Sequence, residues 1–232
     1  MIDRSLNYGR HIIADFAAKI GHYEAVLDIG AGKGDDLAIY KSKCDNARLL
    51  ALEGYEPNVA KLAARGIEVF SHDLERDRFP FEDESLDLVS ANQILEHVKE
   101  IFWIFHEIAR TLKIGGHFVL AVPNLASLHN RALLLLGRQP TSIQNHSAHV
   151  RGYTKPDLMR FLKIWGGFEL VDFQGSNFYP FPPCIAKPLA RAFPQAAWSI
   201  FLLLKKTKEY EGEFIKWPIE KSLETNFYLG KK

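Results

Sequence analysis

Short apolar runs alternate with amphipathic segments through the first half of the chain. The runs are rich in Val, Ile, Leu and Phe, and they predict buried strands at 25–29, 48–52, 67–70, 87–91 and 117–122. Between them, apolar residues recur every three to four positions, which predicts helices at 10–20, 36–43, 56–65 and 98–111. Gly115-Gly116 is expected to end the last of these helices. Regular alternation of strand and helix predicts an α/β fold with a parallel sheet and right-handed crossovers.

A less regular pattern follows Pro123. We expect a short helix at about 127–136, a polar loop with histidines at 138–152, and a helix from a Thr154 cap to Trp165. Two further strands are predicted, at 168–173 and 198–204. The connection 175–197 is rich in proline and aromatic residues and has no clear period, and residues 207–232 form a mixed-charge extension.

Composition narrows the class of protein. The 232 residues carry a formal net charge of +1 and are 47% hydrophobic, which predicts a single domain over 1–232 with a sizeable core. The balanced charge creates no long-range field that would attract nucleic acid. Cys44 and Cys184 lack metal-ligand spacing, so we expect a reduced, cytoplasmic setting and no metal site. The N-terminus has no secretory pattern, and the apolar runs 133–136 and 200–204 are too short for a transmembrane segment.

The first predicted strand leads into a glycine-rich loop, Val26-Leu27-Asp28-Ile29-Gly30-Ala31-Gly32-Lys33-Gly34-Asp35. Glycine at every second position lets the backbone adopt positive φ and lie directly against a ligand. A helix that opens near Lys33 offers unpaired N–H groups and a positive dipole end. The pattern therefore predicts a nucleotide cradle at the first turn of a doubly wound sheet.

The glycine spacing departs from the dinucleotide fingerprint G-x-G-x-x-G. The third glycine comes one residue early, and Asp35 stands where that pattern needs glycine. Asp28 and Asp35 would repel a pyrophosphate, whereas they would suit a ligand with an ammonium and a sulfonium group. Polar residues also end the following strands, at Glu53, Asp73 and Asn92-Gln93. Ligands bind at this edge of open α/β sheets.

Together with further motifs, the loop resembles the class I S-adenosylmethionine-dependent methyltransferases. The motifs are Val26–Gly34, Glu53, Asp73-Leu74, and the stretches 79–89 (FPFEDESLDLV), 92–98 (NQILEHV) and 112–120 (LKIGGHFVL), within about residues 8–122. The resemblance implies a Rossmann-like seven-stranded, mostly parallel sheet with helices on both faces and an antiparallel last strand. It also implies a cofactor-binding core at about 8–123, substrate or cap elements at about 124–197, and a last strand with a C-terminal extension at 198–232.

The resemblance further implies S-adenosyl-L-methionine as the cofactor and suggests which residues contact it. Glu53 would accept hydrogen bonds from both ribose hydroxyls, since a carboxylate has two oxygens for a vicinal diol. Gly54 and Tyr55 would lie along the adenosine, and Asp73 and Leu74 would face the adenine. The methionine part would lie against Gly30, Ala31, Gly32 and Gly34, with Asp28 towards its amino group. Asn92 and Gln93 would border the methyl-donor end, His97 would be a further cofactor-binding residue, and Tyr8 and Arg10 would approach the carboxylate.

Simpler structural interpretations stand beside these roles. Glu53 could be a solvated acid at a strand end, and Asp73 could cap a turn. Asp28 could satisfy N–H groups of the loop. Glu96 could be an acid at a helix start, and His97 could pack without touching a ligand. The joint occurrence of the motifs favours the ligand role for Glu53 and Asp73.

Acceptor-binding groups are expected where the alternation of strand and helix is interrupted. The segment 125–153 carries several basic side chains: His129, Arg131, Arg138, His146, His149 and Arg151. Histidines titrate near neutral pH, and arginines bind carboxylates or phosphates. His146 and His149 are the predicted candidates for a catalytic base, which is needed only if the acceptor arrives protonated.

The acceptor itself stays open. Residues 130–141 and 153–158 resemble MetW-type methyltransferase-like proteins of methionine biosynthesis, whereas the 175–197 connection and the tail look more like methyltransferases of glycans, lipids or quinones. A nucleic-acid acceptor is disfavoured, because residues 92–95 are Asn-Gln-Ile-Leu instead of an Asp/Asn-Pro-Pro-aromatic motif and there is no basic stripe. A homodimer is left open.

The leading hypothesis is therefore a methyltransferase that transfers a methyl group by in-line displacement to a small-molecule, lipid-type or glycan-type acceptor. One alternative is an S-adenosylmethionine-binding partner protein of a metabolic enzyme, without turnover of its own. The other alternative is a nicotinamide-dependent dehydrogenase.

Overall fold

The computed structural model describes residues 7–230. Their strands form one sheet, and helices alternate with the strands along the chain. The strands are β1 (Ala25–Ile29), β2 (Arg48–Leu52), β3 (Glu68–Phe70), β4 (Leu86–Asn92), β5 (Leu112–Pro123), β6 (Phe168–Ser176) and β7 (Ser199–Lys206). The helices are α1 (Arg10–Ile20), α2 (Asp35–Lys43), α3 (Glu56–Ala64), α4 (Ile101–Thr111), α5 (Leu128–Leu135), α6 (Lys155–Leu162), α7 (Pro183–Ala192) and α8 (Glu213–Glu220). Single 3₁₀ turns form at Asn7–Gly9, Leu95–His97 and Pro194–Ala196.

The seven strands lie in the order β3-β2-β1-β4-β5-β7-β6. Strands β1 to β5 are mutually parallel, and β7 runs antiparallel to both of its neighbours. The strand order reverses between β1 and β4, which creates the crevice at the carboxyl ends where open α/β sheets bind ligands. The predicted Rossmann-like sheet with an antiparallel last strand is confirmed.

Alternate residues of each strand are buried on opposite faces of the sheet. Val26, Leu88 and Phe201 pack with Ile12, Phe16, Leu37 and Leu62 of α1, α2 and α3. Leu27, Val89 and Leu202 pack with Phe105, Leu158 and Phe214 of α4, α6 and α8. The near-continuous apolar strands are explained by burial on both faces.

Two expectations from the sequence were wrong in detail. Gly115-Gly116 does not end α4, which stops at Thr111; both glycines lie inside β5. A Cβ on Gly116 would come within 3.0 Å of the Asp87 carbonyl oxygen, so the close approach of two strands requires glycine there. The connection 175–197 contains α7, whose pattern is concealed by Pro183 in its first turn and Pro188 inside it.

The C-terminal extension packs against α4. Helix α8 buries Phe214 beside Phe105, with ring centroids 5.5 Å apart. Further along, the Tyr228 N–H donates to Glu100 Oε2 at 2.6 Å, and the Phe227 ring lies 5.0 Å from that of Phe102. Within residues 7–230, no helix has the length and apolar character needed to cross a bilayer.

Lys206, at the end of β7, is a buried cation that joins three segments of the chain. Its side chain is 1% exposed, and Nζ donates to the carbonyl oxygens of Ala109 and Leu112 at 2.9 and 2.8 Å and to Glu84 Oε1 at 3.0 Å. It therefore joins the last strand to the end of α4 and the start of β5.

We expect Lys206→Met to lower the free energy of unfolding by about 2–4 kcal/mol, because buried acceptors lose their donor. Urea denaturation followed by circular dichroism measures the change. Lys205→Met, on the exposed neighbour, is the matched control and should shift stability by less than about 0.5 kcal/mol. Equal effects of the two substitutions would contradict the structural role of Lys206.

Candidate functional site

The glycine loop between β1 and α2 has the left-handed backbone that its sequence predicts. Gly30, Gly32 and Gly34 have φ values of 68°, 58° and 80°. A Cβ on Gly30 or Gly34 would lie 2.7 Å from the side chain of Ile94 or Leu62, whereas one on Gly32 would meet no atom within 4 Å. The outer glycines are thus fixed by packing, and the middle one faces open space.

Glu53 at the carboxyl end of β2 binds the glycine loop directly. Its Oε2 accepts from the Gly32 N–H at 2.8 Å and from Asn58 Nδ2 at 3.4 Å, and its Oε1 accepts from the Tyr55 N–H at 2.8 Å. The Glu53 side chain is therefore not simply a solvated acid at a strand end, nor is it available to a ligand alone. It also fixes the conformation of the glycine loop. Gly54 and Tyr55 beside it are exposed.

Asp73 follows β3 on the same edge of the sheet. Its Oδ1 accepts from the Glu75 N–H at 2.9 Å, and its carbonyl oxygen accepts from the Arg76 and Asp77 N–H groups. It therefore caps a turn while its carboxylate stays exposed. Leu74, next in the chain, is half-buried and packs against the core.

A buried acidic cluster lies under the loop, between the sheet and α2. Asp28 is 2% exposed and pairs across the sheet with Ser90, and Asp36 from α2 is 5% exposed. Burial, with the Asp36 carboxylate nearby, raises the pKa of Asp28 well above its ordinary value. Arg10 partly offsets the acids, because its Nε donates to Asp36 Oδ1 at 2.6 Å. Ala31, in the loop above, is also buried.

The end of β4 presents polar atoms that lack partners. Asn92 Nδ2 donates to Asp36 Oδ2 at 2.8 Å, but Asn92 Oδ1 and Gln93 Nε2 are buried and accept or donate no hydrogen bond among residues 7–230. Gln93 also has a φ of 57°, which is rare outside glycine. Tyr8 is 57% exposed, and the Arg10 guanidinium lies 5.5 Å from its ring centre. Strained, unpaired side chains at this position are typical of a binding site.

The turn after β4 brings together residues that are far apart in the sequence. His97 and His149 lie edge to face with ring centroids 4.8 Å apart, and Glu96 beside them is 2% exposed. Burial raises the pKa of Glu96 to about 7 and lowers that of His97. The sequence left open whether Glu96 is more than an ordinary acid at a helix start. Its position within 4.8 Å of the His97 and His149 ring nitrogens distinguishes it from such an acid.

The two predicted base candidates occupy different places. His149 joins Glu96 and His97, whereas His146 is exposed and lines a separate cavity of about 670 Å³. The cavity is also lined by His129, Arg138, Tyr179 and Trp198. The His129 ring packs against Tyr179 and Trp198 at 4.5 and 5.5 Å, and its Nε2 is buried with no partner in the described chain. Sequence reasoning did not predict the part played by Tyr179 and Trp198.

Residues 27–120 match the model of a protein family described as a methyltransferase domain. This match covers about two fifths of the chain, and the fold is the one found in solved S-adenosylmethionine-dependent methyltransferases. The resemblance predicted from the sequence is confirmed.

Individual relatives agree with this assignment. The chain is 30% identical over 109 residues to the bifunctional methionine biosynthesis protein MetXA/MetW of Rhodopirellula baltica. The matched segment covers 44% of this chain and only 17% of that protein. A solved S-adenosylmethionine-dependent methyltransferase from Archaeoglobus fulgidus superimposes with a TM-score of 0.60 at 15% identity, over 87% of this chain and 97% of the other. The 1,6-didemethyltoxoflavin-N1-methyltransferase of Burkholderia thailandensis was solved with bound 1,6-didemethyltoxoflavin and S-adenosylhomocysteine. It superimposes with a TM-score of 0.60 at 20% identity, over 89% of this chain and 80% of the other. These structural likenesses establish the fold alone.

The loop geometry yields a direct test. Gly30→Ala should lower the free energy of unfolding by about 2–4 kcal/mol, because it adds a clash with Ile94 to the strain of positive φ. Gly32→Ala carries the strain without the clash and should cost about 1–2 kcal/mol. Chemical denaturation of both variants measures the difference, and a smaller loss for Gly30→Ala than for Gly32→Ala would contradict the packing described here.

Proposed function

We propose that this protein binds S-adenosyl-L-methionine at the carboxyl ends of β1 to β4 and transfers its methyl group to an acceptor that is a small molecule, a lipid or a glycan. The main supporting observation is the glycine loop, which Glu53 holds with Gly32 facing open space. One motif alone would not support this proposal. Asp28, Glu53 and Asp73, at the carboxyl ends of β1, β2 and β3, border the same crevice.

The strand-end residues fit the parts of this cofactor. Oε1 of Glu53 keeps an acceptor site for one ribose hydroxyl, and a second hydroxyl would replace the long 3.4 Å hydrogen bond from Asn58 to Oε2. The exposed carboxylate of Asp73 is available to the exocyclic amine of the adenine, beside Leu74. The orphaned atoms of Asn92 and Gln93 are unexplained by contacts within the described chain and would gain partners from a ligand.

Electrostatics favour a ligand that carries positive charge. Burial, and then the neighbouring Asp36 carboxylate, raise the pKa of Asp28, and an ammonium group near the loop would favour the ionised form of this acid. The guanidinium of Arg10 retains N–H donors for a carboxylate, because Nε and Nη1 each donate once, to Asp36 and Asn7, and Nη2 lies 3.6 Å from Asp35. A dinucleotide phosphate would be repelled by the same acids.

The 670 Å³ cavity is the best-supported place for the acceptor. It is bordered by α5 after β5, by Tyr179 after β6 and by Trp198 before the antiparallel β7, so it opens at the same edge of the sheet as the cofactor crevice. Aromatic walls with Arg138 and two histidines suit a planar or apolar molecule that bears an anionic group.

The reaction asks little covalent chemistry of the protein. S-adenosylmethionine supplies a methyl group already activated on a sulfonium, and the C–S electron pair stays with sulfur as the acceptor's lone pair forms the new bond. The residues need to hold the acceptor atom about 3–3.5 Å from the methyl carbon and to exclude water. His146 in the cavity, or His149 beside it, would take a proton only from an acceptor that arrives protonated.

The proposed ribose contact is testable by calorimetry. We expect Glu53→Ala to weaken S-adenosylmethionine binding by about 1–3 kcal/mol, because two ligand hydroxyls and the Gly32 N–H lose their acceptor. Glu56→Ala, an exposed acid in the first turn of α3, is the control and should bind as the unaltered protein does. Unchanged affinity in folded Glu53→Ala would refute the ribose role.

The acceptor site is testable by transfer of labelled methyl groups to a small-molecule extract of cells. Arg138→Gln should reduce labelling roughly 10-fold while S-adenosylmethionine affinity is unchanged, because the acceptor loses a charged hydrogen bond. Arg160→Gln, exposed on α6 and outside the cavity, should label normally. An unaltered protein that binds the cofactor but labels nothing would favour the partner-protein hypothesis instead.

A further inference from the structure

A docked loop places His149 beside the turn that follows β4. The Val150 N–H donates to the Glu96 carbonyl oxygen at 2.8 Å, and the Tyr153 hydroxyl donates to the Leu95 carbonyl oxygen at 2.9 Å. These bonds join the segment before α6 to the Leu95–His97 turn. The side chains of Glu96, His97 and His149 consequently meet at a fixed junction of two chain segments.

The two imidazoles are oriented by backbone carbonyls. His97 Nδ1 lies 3.3 Å from the Ala148 carbonyl oxygen, and His149 Nδ1 lies 2.9 Å from the Ser142 carbonyl oxygen. A carbonyl oxygen only accepts, so each Nδ1 carries the proton and each Nε2 has a free lone pair. Metal-binding histidines in proteins are held in this way, with the second ring nitrogen donating to a carbonyl or carboxylate.

The carboxyl group of Glu96 supplies the third donor. It is 2% exposed, and its Oε1 lies 4.0 Å from His97 Nε2. Its Oε2 is buried without a hydrogen-bond partner in the part of the chain that the structure describes. One ligand atom from each of Glu96, His97 and His149 lies within 4.8 Å of the others. A buried carboxyl with an unpaired oxygen is costly unless it is protonated or bound to a cation.

The geometry points to a divalent transition-metal site formed by Glu96, His97 and His149, a donor set that suits Zn²⁺. Two imidazoles and one carboxylate form a known catalytic zinc set that leaves a position open for water or another ligand. Tetrahedral zinc needs its ligand atoms about 3.3 Å apart, so the three ligand atoms, which lie within 4.8 Å of one another, would approach by up to about 1.5 Å on binding. The cysteine spacing predicted no metal site in this chain. The proposed site uses no cysteine and differs from that prediction.

The position of the site suggests what the ion would do. Glu96 and His97 follow β4, whose end borders the proposed methyl-donor side of the crevice. An ion there would bind an oxygen or nitrogen of the acceptor and ease its deprotonation. This chemical role rests on the proposed function, whereas ion binding by the three residues is independent of it.

The test is calorimetric titration of Zn²⁺ into the full chain after chelator treatment and dialysis. We expect one equivalent to bind, and Glu96→Gln, His97→Ala and His149→Ala each to weaken binding by about 100-fold or more. His146→Ala, in the same loop but outside the cluster, should bind Zn²⁺ as the unaltered chain does. Circular dichroism confirms that each variant is folded, and Glu96→Gln is nearly isosteric should the alanine variants fail to fold.

Substitution of Co²⁺ for Zn²⁺ gives a second readout. Visible absorption of Co²⁺ bound to nitrogen and oxygen ligands should appear at one equivalent and disappear in the three ligand variants. No Zn²⁺ binding, or binding that the ligand variants retain, would overturn the site. Cofactor affinity measured on the same samples separates the two proposals: Zn²⁺ binding without S-adenosylmethionine binding would refute the proposed function alone, and the converse would refute the metal site alone.

Discussion

The hydrogen bond from the Gly32 N–H to the Glu53 carboxylate connects the two strand ends on which the crevice depends. The left-handed loop cannot satisfy that N–H within a helix, because it precedes α2 and turns away from β1. A carboxylate at the end of β2 provides the acceptor and also receives the Tyr55 N–H, so both loops are fixed from one side chain. Any nucleoside bound here therefore meets a preformed surface rather than one that it must order.

The price of this arrangement is electrostatic. Glu53, Asp28 and Asp36 gather acidic charge around the loop, and Arg10 and Arg65 compensate it only in part, the latter from the side of Asp35. Burial raises the pKa of Asp28, so the buried carboxyl costs free energy of folding, and perturbed acids of this kind cluster at functional sites. The imbalance is understandable if the ligand brings the missing positive charge, which separates this crevice from phosphate-binding loops of similar shape.

The elements that sequence patterns predicted well are those buried on both faces. Strands β1 and β2 are uninterrupted apolar runs, and the positive φ of Gly30, Gly32 and Gly34 follows from residue type. Helix α7 was missed because Pro188 interrupts its pattern. The meeting of His97 with His149 could not be predicted, since it depends on how a loop without periodicity docks through backbone hydrogen bonds that any sequence could make.

That docked loop also explains how the less regular half of the chain can act on the regular half. Tyr153 reaches the Leu95 carbonyl oxygen through a buried hydroxyl, and Val150 binds the next residue through its backbone, so the segment 142–153 is held against the end of β4. The same segment provides Gln144, Asn145 and His146 to the lining of the neighbouring cavity. A displacement of the loop would therefore alter the cavity and the strand end together. The cavity lining and the end of β4 are thus joined through one short segment, by the Val150 N–H and the Tyr153 hydroxyl.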